Sequence, residues 1–462
     1  MMVARKSKGQ EEIKTRGKMV NTLECPPGFQ DMMNFPFVEA LFGRRARRFP
    51  LGASIPGGEL AFTSLHEPMP LTLLEKLLVL TAVSGNTGWN YLIPFNARYA
   101  PHLPNYAGSA GGRTFPSAAG FHTSEVFFTD DEGVYLFETR DAPDLMANKR
   151  RDALDLGALL EAHKKRIRKL AEGRLHLPAR DPHIEGHNQW VVNRPGTLLI
   201  IPVADVAQHQ IANLCYYLQN GFCLYDDVHR EPIQGLEPYR HLHNPNSLLP
   251  LSFIEQYALM ESVTELVTAC YAGMLMLQAM GLGGWMFNGM SPYSVLGASG
   301  DPEVPGLGFR YDTDGRWSIP NPTGLPGVFE GYCPPHFPNM RAAVDALVRR
   351  KFGPGGPYHP ETAGPFRDTP GVRGSAQVHS EEFKECVTCQ AQYTLDRFGK
   401  FPGTVPSILG FIYLQAHHLD VEFYDRHFKP GAYLRTHARH MERWHLGKED
   451  APRRSKRGAS GK

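Results

Sequence analysis

The chain has 462 residues, 42% of them hydrophobic, and carries 49 Lys and Arg against 47 Asp and Glu, for a net charge of +2. That length and apolar content suffice for a large core and suggest two to four compact units. The near-neutral balance excludes a general phosphate-backbone binder, which needs a broad basic face. The 38 Pro and 46 Gly argue for many structured loops rather than a helical bundle.

The N-terminus is basic without a following apolar run, so residues 1–30 are expected to be a disordered tail rather than a secretion signal. Seven thinly spread cysteines (Cys25, Cys215, Cys223, Cys270, Cys333, Cys386, Cys389) then read as reduced thiols of a cytoplasmic protein. Residues 35–50 and 70–84 are expected to be helical. In the second, Leu73, Leu74, Leu77, Leu78 and Leu80 keep one apolar face and Gly85 supplies a stop. Between them FGRRARRFPLG sets Arg44, Arg45, Arg47 and Arg48 side by side. Guanidinium groups grip phosphate bidentately, but an isolated cluster is just as well a solvated basic turn.

A polar and aromatic loop over 86–112 leads into RTFPSAAG, where Pro116 fixes the backbone and Ser117, Ala118, Ala119 and Gly120 leave the main chain open to a flat ligand edge. The alternation of SEVFFT, DDEG and VYLFE predicts a hairpin. Residues 152–172 are expected to form one amphipathic helix with a basic C-terminal half, and TLLIIPVAD (197–205) a buried strand. No Asp, Glu, Lys or Arg occurs between Glu265 and Asp301. That stretch is long enough to span a bilayer, but Gln278, the GLGG turn and its acidic approach favour a buried helix over 253–280 ending at Gly281. A further helix is expected at MRAAVDALVRRKF, and the Pro- and Gly-rich 365–380 reads as a linker. Alternating strands and helices with hairpin pairs predict an α+β layered fold.

Three pieces in this order, RRARR, RTFPSAAG with a following Gly133-Val134-Tyr135, and Gly281-Leu282-Gly283 at the end of a long helix, resemble the FMN-dependent nitroreductase superfamily, nearest its azoline-forming peptide dehydrogenases. The resemblance covers roughly 35–350. It implies a central, mainly antiparallel sheet flanked by helices in a flavin-binding unit over 31–365; the residues beyond it read as a helical His-rich C-terminal extension over 380–447 and a disordered basic tail over 448–462. It further implies an FMN phosphate grip at Arg44, Arg45, Ala46 and Arg48, with Arg47 at the family's variable position, and contacts to the flavin from Pro116, Ser117, Ala118, Ala119, Gly281, Leu282 and Gly283. Ala46 stands where the family usually has a Ser hydroxyl, and Ala118–Ala119 where glycines are common. The implied protein is a homodimeric oxidoreductase using NAD(P)H and a small-molecule substrate, with no nucleic-acid or membrane partner. No catalytic side chain is assigned; Tyr91, Asn96, Arg98 and His122 are the polar residues near the flavin segments, and Arg341 and Arg349 are candidates for a late phosphate contact. A flavin-free binding or scaffold protein on the same fold is the competing reading.

The His-rich end (His417, His418, Asp420, Glu422, Asp425, His427, His437, His440, His445) lacks an H-E-x-x-H or E-x-x-H spacing, and Cys386–Cys389 is a lone C-x-x-C. Both are therefore expected to be structural, with no metal bound; a metal-dependent protein centred on these histidines is the further alternative.

Overall fold

The computed structural model describes residues 25–99, 102–106, 108–140, 154–312, 314–401 and 412–445. Its centre is a six-stranded sheet of β1 (Ser124–Thr129), β2 (Gly133–Phe137), β3 (Ile167–Glu172), β4 (Leu198–Ala204), β5 (Gly283–Phe287) and β6 (Tyr413–His417), in the order β5-β6-β4-β1-β2-β3. Every neighbouring pair is antiparallel. The expected hairpin is β1–β2, with Val126 opposite Phe137 and Thr129 opposite Val134.

Side chains alternate across a strand, and here both faces are buried. Val126, Phe128, Leu198, Ile200, Leu414 and Ala416 face one core with Leu77, Leu78 and Met274. Phe127, Leu199, Ile201, Val203 and Tyr413 face another with Val191, Phe309 and Phe329. That is why TLLIIPVAD is continuously apolar instead of alternating.

Among the described helices are α1 (Pro27–Met33), α2 (Phe37–Gly43), α3 (Leu73–Ser84), α4 (Leu156–Lys164), α5 (Val206–Gln219), α6 (Leu251–Met280), α7 (Met340–Phe352) and α8 (Glu381–Phe398). The fold is α+β, an antiparallel sheet flanked by helices, as expected. The axis is α6, which crosses the sheet so closely that a Cβ on Gly273 would lie 2.5 Å from Leu414 Cδ2 and 2.7 Å from Val83 Cγ2. By length and composition α6 could cross a membrane, but half of its most apolar window is buried inside the protein.

Four expectations change. The helix expected over 35–50 ends at Gly43: Arg44 is extended (φ −60°, ψ 123°), and Arg47 pairs with Gly284 beyond the edge of β5, each N–H donating to the other's carbonyl at 3.1 and 2.8 Å. Pro50 disfavours helical backbone at the residue before it, and the pairing holds the segment extended. The helix expected over 152–172 stops at Lys164, and its basic half is instead the edge strand β3, where half-buried Ile167 and Leu170 are each followed by two exposed residues. The 380–447 segment is largely helical where it is described, with Glu381–Phe398, Val421–His427, Arg435–Ala438 and His440–Trp444, but it is not a separate appendage, because β6 lies inside the sheet between β5 and β4. Tail residues 25–30 include the start of α1; the rest of that tail and residues 448–462 lie outside the described residues.

Candidate functional site

A cleft of about 900 Å³ opens beside the RTFPSAAG turn, within the range of small-molecule and cofactor sites. Its floor is the short strand pair Asn86–Trp89 and Gly111–Arg113; its walls are the turn itself, Asn213 and Tyr216 of α5, and Tyr257 and Glu261 of α6. Arg113, Pro116, Ser117, Ala118 and Gly120 line it, as do Tyr91, Asn96 and His122. Ala119 lies within the 3₁₀ turn Ala118–Gly120. Arg98 turns away and donates to the Asn220 carbonyl at 2.5 Å.

The turn is held from below by a buried carboxylate. Glu265 accepts from Ser117 Oγ, from the Thr123 and Ser124 N–H groups at 3.0 and 3.2 Å, and from Thr123 Oγ1 at 3.3 Å. Ser117 Oγ in turn accepts the His122 N–H at 2.9 Å. His209, bonded through Nδ1 to Ser262 Oγ at 2.9 Å, lies 3.7 Å from Glu265. Gly120 and His122 both have positive φ, 67° and 49°, so the turn depends on this anchoring. Burial and the nearby Arg113 charge push His122 well below the ordinary imidazole range, keeping it neutral. Burial raises Glu261, which accepts from Asn213 Nδ2 at 2.7 Å. A proton is therefore held more firmly there than on a free carboxyl.

The arginine cluster and the GLGG turn lie together at the other end of α6. Arg47 is buried and already committed, Nε to the Ala432 carbonyl at 2.9 Å, Nη1 to Gln278 Oε1 at 2.6 Å and Nη2 to the Gly43 carbonyl at 3.3 Å. Burial lowers its guanidinium to about 10. Arg48 donates to Asn188 Oδ1 at 2.7 Å and lies 4.8 Å over the Trp285 ring. Exposed Arg45 folds back on the Phe42 and Arg44 carbonyls, and half-buried Arg44 lies 5.9 Å from the Tyr271 ring centre. Exposed Ala46 presents no hydroxyl.

The glycines of this end are filled by the chain itself. A Cβ on Gly281 (φ 80°) would lie 2.2 Å from the Thr436 carbonyl oxygen, and one on Gly283 would lie 2.6 Å from His417 Nε2. Leu282 between them is fully buried. The site residues expected from the sequence thus form two groups: Pro116–Ala119 at the Glu265 level, and Arg44–Arg48 with Gly281–Gly283 at the Gln278 level, about 20 Å apart along the helix. Arg341 belongs to neither group; it pairs with Asp345 and Glu381.

Sequence reading passed over the groups that organise the cleft: Glu261 and Glu265, one turn apart on α6, and Asn213 on an unforeseen helix. Carboxylates buried in an apolar stripe were the available signal. Burial pushes Cys386 up to about 12, an inert thiol on α8. Of the C-terminal histidines, His418, His440 and His445 turn inward on Glu75, which the motif search did not single out.

No protein-family model matches the chain, and no curated protein matches it. Among solved structures, a candidate nitroreductase from Ralstonia eutropha JMP134 aligns over 56% of this chain and 71% of that one, with 13% identity and a TM-score of 0.25. So slight a likeness carries no weight for the reading of either site.

Proposed function

We propose that the protein is an FMN-dependent oxidoreductase of the nitroreductase type, working as a cytoplasmic homodimer with NAD(P)H and a small-molecule substrate. The observation that carries this reading is the RTFPSAAG turn lining an aromatic-walled cleft of about 900 Å³. When bound, FMN supplies hydride transfer between a nicotinamide or organic substrate and an acceptor. The chain's own residues would bind and orient it: Trp89, Tyr216 and Tyr257 offer flat apolar walls, and the Pro116–Gly120 main chain would border a planar ring. Glu261 is the carboxyl that lines the cleft.

The separation of the two groups fits a dimer, in which a phosphate grip at Arg44 and Arg45 would serve this cleft from a second copy. Two uncovered apolar surfaces support it. On α2, Phe37 and Phe42 are 67% and 74% exposed; on α6, Phe253, Met260 and Tyr271 form an exposed stripe at helical spacing. The seven cysteines are free thiols, which supports a reducing compartment.

A second reading, a flavin-free binding protein, draws on the internal use of Arg47 and Arg48 and on the filled glycine turn. Purified protein decides between them. A flavin spectrum that bleaches anaerobically with NADPH or NADH, with Arg44→Ala weakening FMN by about 1–3 kcal/mol, supports the enzyme. A colourless chain that takes up no added FMN overturns it. Light scattering that gives a monomer overturns the two-copy site.

A further inference from the structure

The Glu75 side chain splits its carboxylate between two tasks. Oε2 accepts from the Thr72 N–H at 2.6 Å and from Thr72 Oγ1 at 2.8 Å, closing the capping box of α3. Oε1 points the other way, into the protein, where it meets three imidazoles: His440 Nε2 at 2.8 Å, His445 Nε2 at 3.2 Å and His418 Nε2 at 3.3 Å. All four residues are buried, and their ligand atoms lie within 4.8 Å of one another.

Hydrogen-bond chemistry accounts poorly for this arrangement. His418 Nδ1 bonds the Met69 carbonyl at 2.9 Å, and His440 Nδ1 bonds the Met280 carbonyl at 2.8 Å. A carbonyl only accepts, so each Nδ1 carries the proton and each neutral ring turns an Nε2 lone pair toward Glu75. Protonating His418 alone would satisfy one contact and still leave the His440 lone pair facing the carboxylate at 2.8 Å, while protonating both rings would set two imidazolium cations, with ring centres 5.2 Å apart, in a buried site with one carboxylate. Lone pairs converging on a carboxylate oxygen ask for a cation among them. Imidazoles fixed through Nδ1 to backbone carbonyls are, moreover, the usual support of metal-ligating histidines. Nitrogen and oxygen ligands at about 2.0–2.1 Å around a tetrahedral ion stand about 3.3 Å from one another, close to the three distances seen here.

We propose that Glu75, His418, His440 and His445 form a closed four-ligand zinc site. The donor set, three imidazoles and one carboxylate, suits zinc, and a closed, buried tetrahedron is the structural rather than the catalytic form. It ties the first turn of α3 to the end of β6 and to the last described residues of the chain. Through the Met280 carbonyl it also braces the glycine turn after α6. The inference does not depend on flavin binding.

The test uses untagged full-length protein expressed with added zinc and dialysed into metal-free buffer. Elemental analysis is expected to find one zinc per chain. His445→Ala is expected to lose it, and His427→Ala, a histidine outside the cluster, to keep it. Should His445→Ala fail to fold, the unmodified protein still decides. Its melting temperature is expected to fall with a strong chelator and to recover with zinc but not magnesium. A chain without stoichiometric metal, whose melting point neither chelator nor zinc moves, overturns the proposal. Manganese or iron in place of zinc overturns the zinc assignment.

Discussion

The two ends of α6 solve the same problem in opposite ways. Near Glu265 the chain builds a turn with positive backbone angles, anchors it from beneath and leaves its upper side open to a cleft. Near Gln278 it builds a glycine turn of similar backbone demands and closes it with Thr436, His417 and Arg47. Glycine and arginine therefore mark ligand contact only where the chain leaves room. Where it does not, they mark close packing of the protein against itself.

Substitutions can break this contrast. The largest effect is expected from Gly281→Ala, where a methyl group meets the Thr436 backbone at 2.2 Å and the φ is positive. A loss of about 3 kcal/mol or more in denaturant unfolding checks it. At the cleft end, His163 accepts the Asn86 N–H through Nε2 at 3.1 Å, so it must stay neutral. Burial, with Arg113 and Arg166 adding to it, lowers it to about 4. Unfolded, it titrates near its ordinary 6.5, so the unfolded state binds more protons between the two values. The stability it contributes is complete above about 6.5 and falls as pH drops through about 4, by about 3 kcal/mol. His163→Gln should flatten that part of the stability–pH curve, whereas an unchanged curve would refute the assignment.

Arg47→Ala strands Gln278 and two carbonyls, and is expected to cost about 2 kcal/mol while leaving FMN affinity unchanged. Arg44→Ala should do the reverse, leaving stability within about 0.5 kcal/mol. If both variants lose stability alike, the separation of packing arginine from ligand arginine fails. Gly120→Ala is expected to be the mildest of the glycine changes, about 1 kcal/mol, because the atom it meets is the movable Asn90 amide at 2.3 Å. Thermal melts of the two glycine variants side by side rank the ends directly.

Elements with strong local signals were legible. The β1–β2 hairpin, TLLIIPVAD, the leucine-rich α3, the long α6 and MRAAVDALVRRKF at α7 fall where periodicity and turn residues put them. The basic half of 152–172 misled because Ile167 and Leu170 stand three apart, a helical spacing, and only pairing with β2 through an irregular register drew it into a strand. The Pro116–Gly120 turn was legible as open backbone; its anchor, Glu265, was not, because it comes from a helix 142 residues downstream of Thr123.

By itself the sequence determined which segments could be helix or strand, where backbone must turn with small residues, and that four arginines stand together at 44–48 and six histidines lie between 417 and 445. Those properties follow from local sterics, alternation and charge. Tertiary structure alone decided that Arg47 faces inward, that the last described segment threads a strand into the sheet, and that three histidines meet a helix-capping glutamate. Each of these is a contact between residues far apart in the chain, set by packing and by the need to pair buried polar groups, and no local pattern records it.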